Sequence, residues 1–100
     1  MAEVHEYVVF RFRESVAREE QIATMRGLDP YIAALDGFES REYFFSEAEG
    51  RWIDHIVWAS MEDALASERV LEDPGAAALF ERFDPLSVVF GRYERVEPQA

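Results

Sequence analysis

The sequence predicts an α+β fold: four strands in one antiparallel sheet, two helical regions on one face, and a second copy of the chain on the other. Three observations predict it. Segments that alternate apolar and polar residues, and segments whose apolar residues step by three and four, follow one another as strand, helix, strand, strand, helix, strand. That β-α-β-β-α-β order is a split βαβ unit. Each helical region also carries an Asp-Pro restart, Asp29-Pro30 and Asp73-Pro74, so the two halves loosely resemble each other. Finally, the third and fourth strands are apolar on both sides, whereas a sheet with one wet face alternates cleanly.

The elements follow in order. Val4 to Arg13 reads as a strand, with Val4, Val8, Phe10 and Phe12 on one face and His5, Tyr7, Val9, Arg11 and Arg13 on the other. Ser15 can cap a helix that has Glu19 and Glu20 in its early turns. Ile22, Met25, Leu28, Ile32 and Leu35 form its apolar stripe. Asp29-Pro30 predicts a break and a second short helix from Pro30 to Leu35, stopped at Gly37.

Phe38 to Ser46 is the second strand, Ser46 to Arg51 a hairpin turn, and Trp52 to Ala59 the third strand. Ser60 starts a helix running to about Glu72. Asp73-Pro74 restarts it with Leu79, Phe80 and Phe83, and Asp84-Pro85 ends it. Leu86 to Val96 is the fourth strand.

One hundred residues, 49% of them hydrophobic, fit one domain spanning 1–100. The chain has no cysteine, which excludes disulfides, thiol nucleophiles and Cys-based metal sites. It has no lysine, and its net charge of −11 disfavours nucleic acid and anionic membranes as partners. Met1 to Glu6 lacks a signal pattern, and no stretch approaches the ~18 apolar residues of a membrane span. A cytoplasmic location is the expectation. The two-sided third strand (Trp52, Ile56 and Trp58 against Ile53, Val57 and Ala59) needs a cover, and a homodimer packed sheet to sheet supplies one.

The segment Trp58-Ala59-Ser60-Met61-Glu62-Asp63-Ala64, with Asp73-Pro74, Phe80 and Phe83-Asp84-Pro85-Leu86-Ser87-Val88, resembles the dimeric α/β-barrel superfamily. These domains are ferredoxin-like, and the nearest branch is of the antibiotic-biosynthesis-monooxygenase type, beside stress-responsive A/B-barrel-type domains. The resemblance implies a pocket-lining role for Trp58. The cofactor-independent oxygenases of the superfamily carry an Asn four residues before that Trp, where this chain has Asp54. The haem-degrading branch needs a catalytic Asn on the first strand and a ligating His on the second helix; this chain has no Asn, and its second helix has no His. The function implied is small-molecule binding, with cofactor-independent oxygenation of an aromatic or polyketide-like substrate. The alternative is a non-catalytic dimeric ligand-binding or stress-related module.

Two residues are candidates for catalysis. His55 can act as a general base, or be a core or interface histidine bonded to backbone. Asp54 lies on the face of Trp52 and Trp58, where desolvation would make it a better base; otherwise it pairs with an arginine of a neighbouring strand, Arg11 or Arg92. Either arginine can instead hold an anionic group of a ligand. Trp52, Trp58, Tyr7, Tyr43 and Phe45 suit an apolar pocket or an ordinary core. His5 comes near the end of the third strand, one or two pairs beyond His55, but no His spacing suggests a metal. There is no Gly-rich phosphate loop and no nucleophile elbow, so no cofactor is expected. Period-two alternation leaves open whether Asp54 or His55 faces the helices.

Overall fold

A computed structural model describes residues 2–99. Strands β1 (Val4–Phe10), β2 (Phe38–Ser46), β3 (Arg51–Trp58) and β4 (Val89–Tyr93) form one sheet in the order β2-β3-β1-β4. Every neighbouring pair is antiparallel. Helix α1 (Arg18–Ala33) links β1 to β2. Helices α2 (Met61–Ala66) and α3 (Pro74–Phe80), with the 3₁₀ segment Ser67–Glu72 between them, link β3 to β4. All lie on one face, as the β-α-β-β-α-β order predicts.

Alternation decides the faces. In β1, Val4, Glu6, Val8 and Phe10 point at the helices; in β3, Trp52, Asp54, Ile56 and Trp58 do. The core is Val4, Phe10, Trp52, Ile56 and Trp58 packed on Met25, Leu28 and Ile32 of α1, closed by Ala64, Ala76 and Phe83. Burying each of the large side chains is worth about 1.5–3 kcal/mol. The other face carries His5, Tyr7, Val9, Phe44, Ile53, His55, Val57, Val89 and Tyr93, and no element among the described residues covers it.

The helices depart from expectation in three places. Helix α1 begins after Ala17, not at Ser15, because residues 14–16 form a turn closed by Val16 N–H donating to the Arg13 carbonyl. Glu20 Oε1 then accepts from the Ala17 N–H, 3.2 Å. The helix also runs unbroken through Pro30 to Ala33. Pro30 cannot donate to the Arg26 carbonyl, but the turn is held from outside. Arg41 Nη1 donates to the Met25 carbonyl, 2.8 Å, and Asp29, instead of capping a new helix, accepts from Arg41 and Tyr43. The second helical region does not stay α-helical to Glu72. Ser67 Oγ donates to the Ala64 carbonyl, 2.6 Å, competing with the backbone ladder where the 3₁₀ segment starts.

Two strands are shorter than expected. The β1 ladder stops at Phe10, with only a bridge from Phe12 to Phe83 beyond it. Strand β4 starts at Val89, because Asp84 Oδ1 accepts from the Leu86 N–H and sets Pro85–Ser87 in a 3₁₀ turn.

Gly37 has φ +78°, and a Cβ there would run into the Asp63 side chain that braces the Ser60 cap. Gly37→Ala is therefore expected to cost about 1–3 kcal/mol. Urea unfolding followed by tryptophan fluorescence measures this, and an unchanged midpoint would contradict it.

Candidate functional site

Short helical pieces do not seal the β1–β4 half of the sheet. They leave a cleft of about 660 Å³. Val8, Phe90 and Val88 on the sheet side and Leu71, Phe80 and Phe83 on the helix side form its apolar walls. Val88 and Phe90 stay 40% and 48% exposed, although Phe90 pairs with Val8 on the helix-facing side. A narrow extension of about 70 Å³ runs inward to Asp54, Ile56 and Trp58. Glu6 lines both spaces.

Glu6 sits mid-strand in β1, between Ile56 of β3 and Arg92 of β4, and is 7% exposed. Arg92 Nε donates to Glu6 Oε1, 3.1 Å, and the other carboxyl oxygen has no protein hydrogen bond among the described residues. Burial raises its pKa above the usual carboxylate range; Arg92 and the Trp58 indole pull against this, and the nearby Asp54 adds to it. The Trp58 Nε1–H faces this region without reaching hydrogen-bond geometry, so it is a buried donor without a partner. Arg92 reaches outward as well, Nη2 donating to Glu68 Oε2 at 3.3 Å and tying the cleft floor to the 3₁₀ segment at its rim. A proton acceptor, a spare donor and a guanidinium thus converge at the base of an apolar cleft.

Asp54 does face the helices, but its arginine is neither Arg11 nor Arg92. Arg41 of β2 grips it with two hydrogen bonds, Nε to Oδ1 at 3.0 Å and Nη2 to Oδ2 at 2.9 Å. Both side chains are nearly inaccessible, at 3% and 6% exposure. Burial pushes the Asp54 carboxyl up and Arg41 pulls it down. With both oxygens occupied, Asp54 has little acceptor capacity left for a ligand. Arg41 also holds Asp29, which accepts from Tyr43 Oη at 3.1 Å.

The remaining predicted residues disperse. Trp58 lies in the inner extension and Arg92 in the cleft. Trp52 is core at the far end of the sheet, its Nε1 donating to Gln21 Oε1, 2.9 Å. Tyr43 belongs to the Arg41–Asp29 network. Arg11 is exposed and donates to the Glu49 carbonyl of the β2–β3 hairpin. His55 and Tyr7 lie on the open face, stacked 4.3 Å apart. His55 Nε2 meets His5 Nδ1 at 2.9 Å. Burial, and then His5, lower the His55 pKa against Glu42 and Asp54. Among the described residues no three His, Asp or Glu side chains gather to hold a metal, and no helix is long and apolar enough to cross a membrane.

Glu6 and Arg41 escaped the sequence reading. Glu6 had a signal: it is the one charged residue in the inward row Val4, Glu6, Val8, Phe10. Arg41 had a conflicting one, because it alternates with Tyr43 and Phe45 but an irregularity between Phe38 and Ser40 shifts the register of β2. Counted from Phe38, alternation points Arg41 outward; the shift turns it, with Tyr43 and Phe45, toward the helices.

No protein-family model matches the chain, and neither does any curated protein. Solved structures do. A candidate antibiotic biosynthesis monooxygenase from Bordetella bronchiseptica superposes with a TM-score of 0.78 at 14% identity, covering 97% of this chain and 100% of that one. SnoaB, a cofactor-independent oxygenase from Streptomyces nogalater, gives 0.67 at 15% identity over 100% and 97%. A hydroxynitrile lyase from Passiflora edulis gives 0.65 at 16% identity over 99% and 98%. The chain has the ferredoxin-like α+β fold of these proteins. That one fold carries an oxygenase and a lyase, so chemistry must be argued from the site.

Proposed function

We propose that the chain binds a small aromatic or polyketide-like molecule in the cleft and oxygenates it without a cofactor, with Glu6 as the base. One observation carries this reading: a buried carboxyl of raised pKa, with one oxygen unbonded, lies at the floor of an open apolar cleft. Such a group can take a proton from a weakly acidic C–H or O–H at neutral pH. The resulting anion can pass an electron to O₂ in the dry interior. For an activated methylene the balance is CH₂ + O₂ → C=O + H₂O, which needs no added reductant. Glu6, Glu68 and Glu81 outnumber Arg13 and Arg92 around the cleft, and Arg92 is already paired with Glu6 and Glu68, so the cleft has no surplus of positive charge to select an anion. The fold shared with a cofactor-independent oxygenase supports the reading. We also read the open sheet face as the contact with a second copy of the chain.

The test is oxygen uptake by the purified protein with a panel of polycyclic phenols and aryl methylene ketones. Uptake that depends on the compound, needs no added flavin and survives a chelator is expected. A second reading, a non-catalytic ligand-binding module, is favoured by the complete pairing of Asp54 with Arg41. Binding without uptake would select it, and neither binding nor uptake would overturn both.

A further inference from the structure

Tyr7, Phe44, Ile53, Val89 and Tyr93 leave an apolar surface across all four strands, from 38% exposure at Tyr7 to 65% at Val89. At its centre His5 and His55 join through a single imidazole–imidazole hydrogen bond of 2.9 Å, and Tyr7 stacks on His55. We propose that two copies of the chain meet on this face only while the His5–His55 pair is uncharged, so that mild acid separates them. This rests on the sheet-to-sheet reading above and concerns its control.

Charge complementarity identifies a second copy as the occupant. Glu39 and Glu42 lie on β2, at one edge of the face. Arg95 lies just beyond β4 at the other edge, beside the groove formed by His5, Tyr7 and Tyr93. A copy rotated about an axis parallel to the strands lays its β4 edge on this β2 edge and brings Arg95 to Glu39 and Glu42. The centre that remains is Tyr7, Ile53, Val89 and the two imidazoles, with Glu3 and Glu42 at its margin.

The pair is built for the neutral state. One neutral ring donates and the other accepts, so a single proton satisfies the contact. Two imidazolium rings would set two donors and two like charges face to face. Even one added proton would place a charge in the middle of an apolar contact, which is costly once a second copy removes water. The lowered pKa of His55 agrees with this.

Other groups face the pair. Glu3 lies 3.3 Å from His5 Nε2, and Glu42 lies 4.0 Å from His55 Nδ1. Glu42 favours the charged form of His55. Glu39 faces His5 and has a raised pKa, first through the neighbouring Glu3 carboxyl. Protonating that carboxyl pair relieves repulsion at the rim and works against separation. Tyr7, Tyr93, Glu94 and Arg95 border the groove, and Asp54 lies behind the sheet. The imidazoles lie inside the contact, where charge is costly, and the carboxyls lie at its wet rim, where charge is screened, so the histidines set the direction.

The experiment is sedimentation velocity at pH 7.5 and 5.5, with circular dichroism confirming a folded chain at both. It uses the wild type, the double variant His5→Gln/His55→Gln, and His55→Phe as a second variant that keeps the stack on Tyr7. The wild-type dimer dissociation constant should rise about ten- to a hundredfold on acidification, one factor of ten for each unit of pKa difference per protomer. The variants should stay dimeric and lose most of that dependence. A wild-type dimer whose affinity does not change, or variants that keep the full dependence, would overturn this inference alone. A chain monomeric at pH 7.5 would overturn the sheet-to-sheet reading and this inference with it.

Discussion

Arg41→Ala is expected to destabilise the fold by about 3–5 kcal/mol, the usual cost of removing one partner of a buried ion pair. Arg41 gives Asp54 both of its strong hydrogen bonds, donates to the Met25 carbonyl in the turn before Pro30, and holds Asp29. Its loss strands a buried carboxylate and leaves the α1 carbonyl without its outside donor. Much of the penalty is the desolvated charge left behind, so the paired variant Arg41→Met/Asp54→Leu should recover most of the stability. Denaturant midpoints of the three proteins measure both effects. A single variant within 1 kcal/mol of wild type would mean that the pair is solvated in solution.

Glu6→Gln is expected to lower turnover about 10²- to 10⁴-fold, the range set by removing a positioned general base. Glutamine keeps the shape and an acceptor for Arg92 but cannot take a proton. Ligand affinity should change far less, because the apolar walls of Val8, Phe80, Phe83 and Phe90 supply most of the contact. The pH profile gives a second readout. Burial raises the Glu6 pKa, so activity should climb with pH through that raised value as the carboxyl ionises, and the variant should lose this limb. A variant that turns over normally would remove Glu6 from the chemistry. Asp54→Asn, by contrast, should act mainly on stability.

The sheet was the most legible part of the sequence. Strand β2 was expected at Phe38 to Ser46, where it lies, and β3 is displaced by one residue. Local chemistry was harder to read where a contact from elsewhere in the fold overrules it. Asp29-Pro30 has the pattern of a helix start, yet Arg41 and Tyr43 from β2 hold Asp29 inside an unbroken helix. Asp73-Pro74, with no such partner for its carboxylate, does cap α3. The same limit applies to the site. The pocket-lining place of Trp58 was implied by the family resemblance and not by strand spacing, and the pairing of Asp54 with Arg41 depended on how β2 registers against β3 across its irregularity at Phe38–Ser40. Glu6 was visible as an acid in an apolar row. Its burial beside Arg92, 86 residues away in the chain, depends on the pairing of β1 with β4, which the local pattern does not show.

The most direct measurement is a crystal structure of the wild-type protein soaked with a hydroxyaromatic compound that it binds. The expected result is a ring held among Phe80, Phe83 and Phe90, with its acidic hydrogen directed at the Glu6 oxygen that Arg92 leaves unbonded. A ligand seated elsewhere, or a cleft closed by side chains with Glu6 sealed beneath them, would contradict the assignment of this cleft as the site.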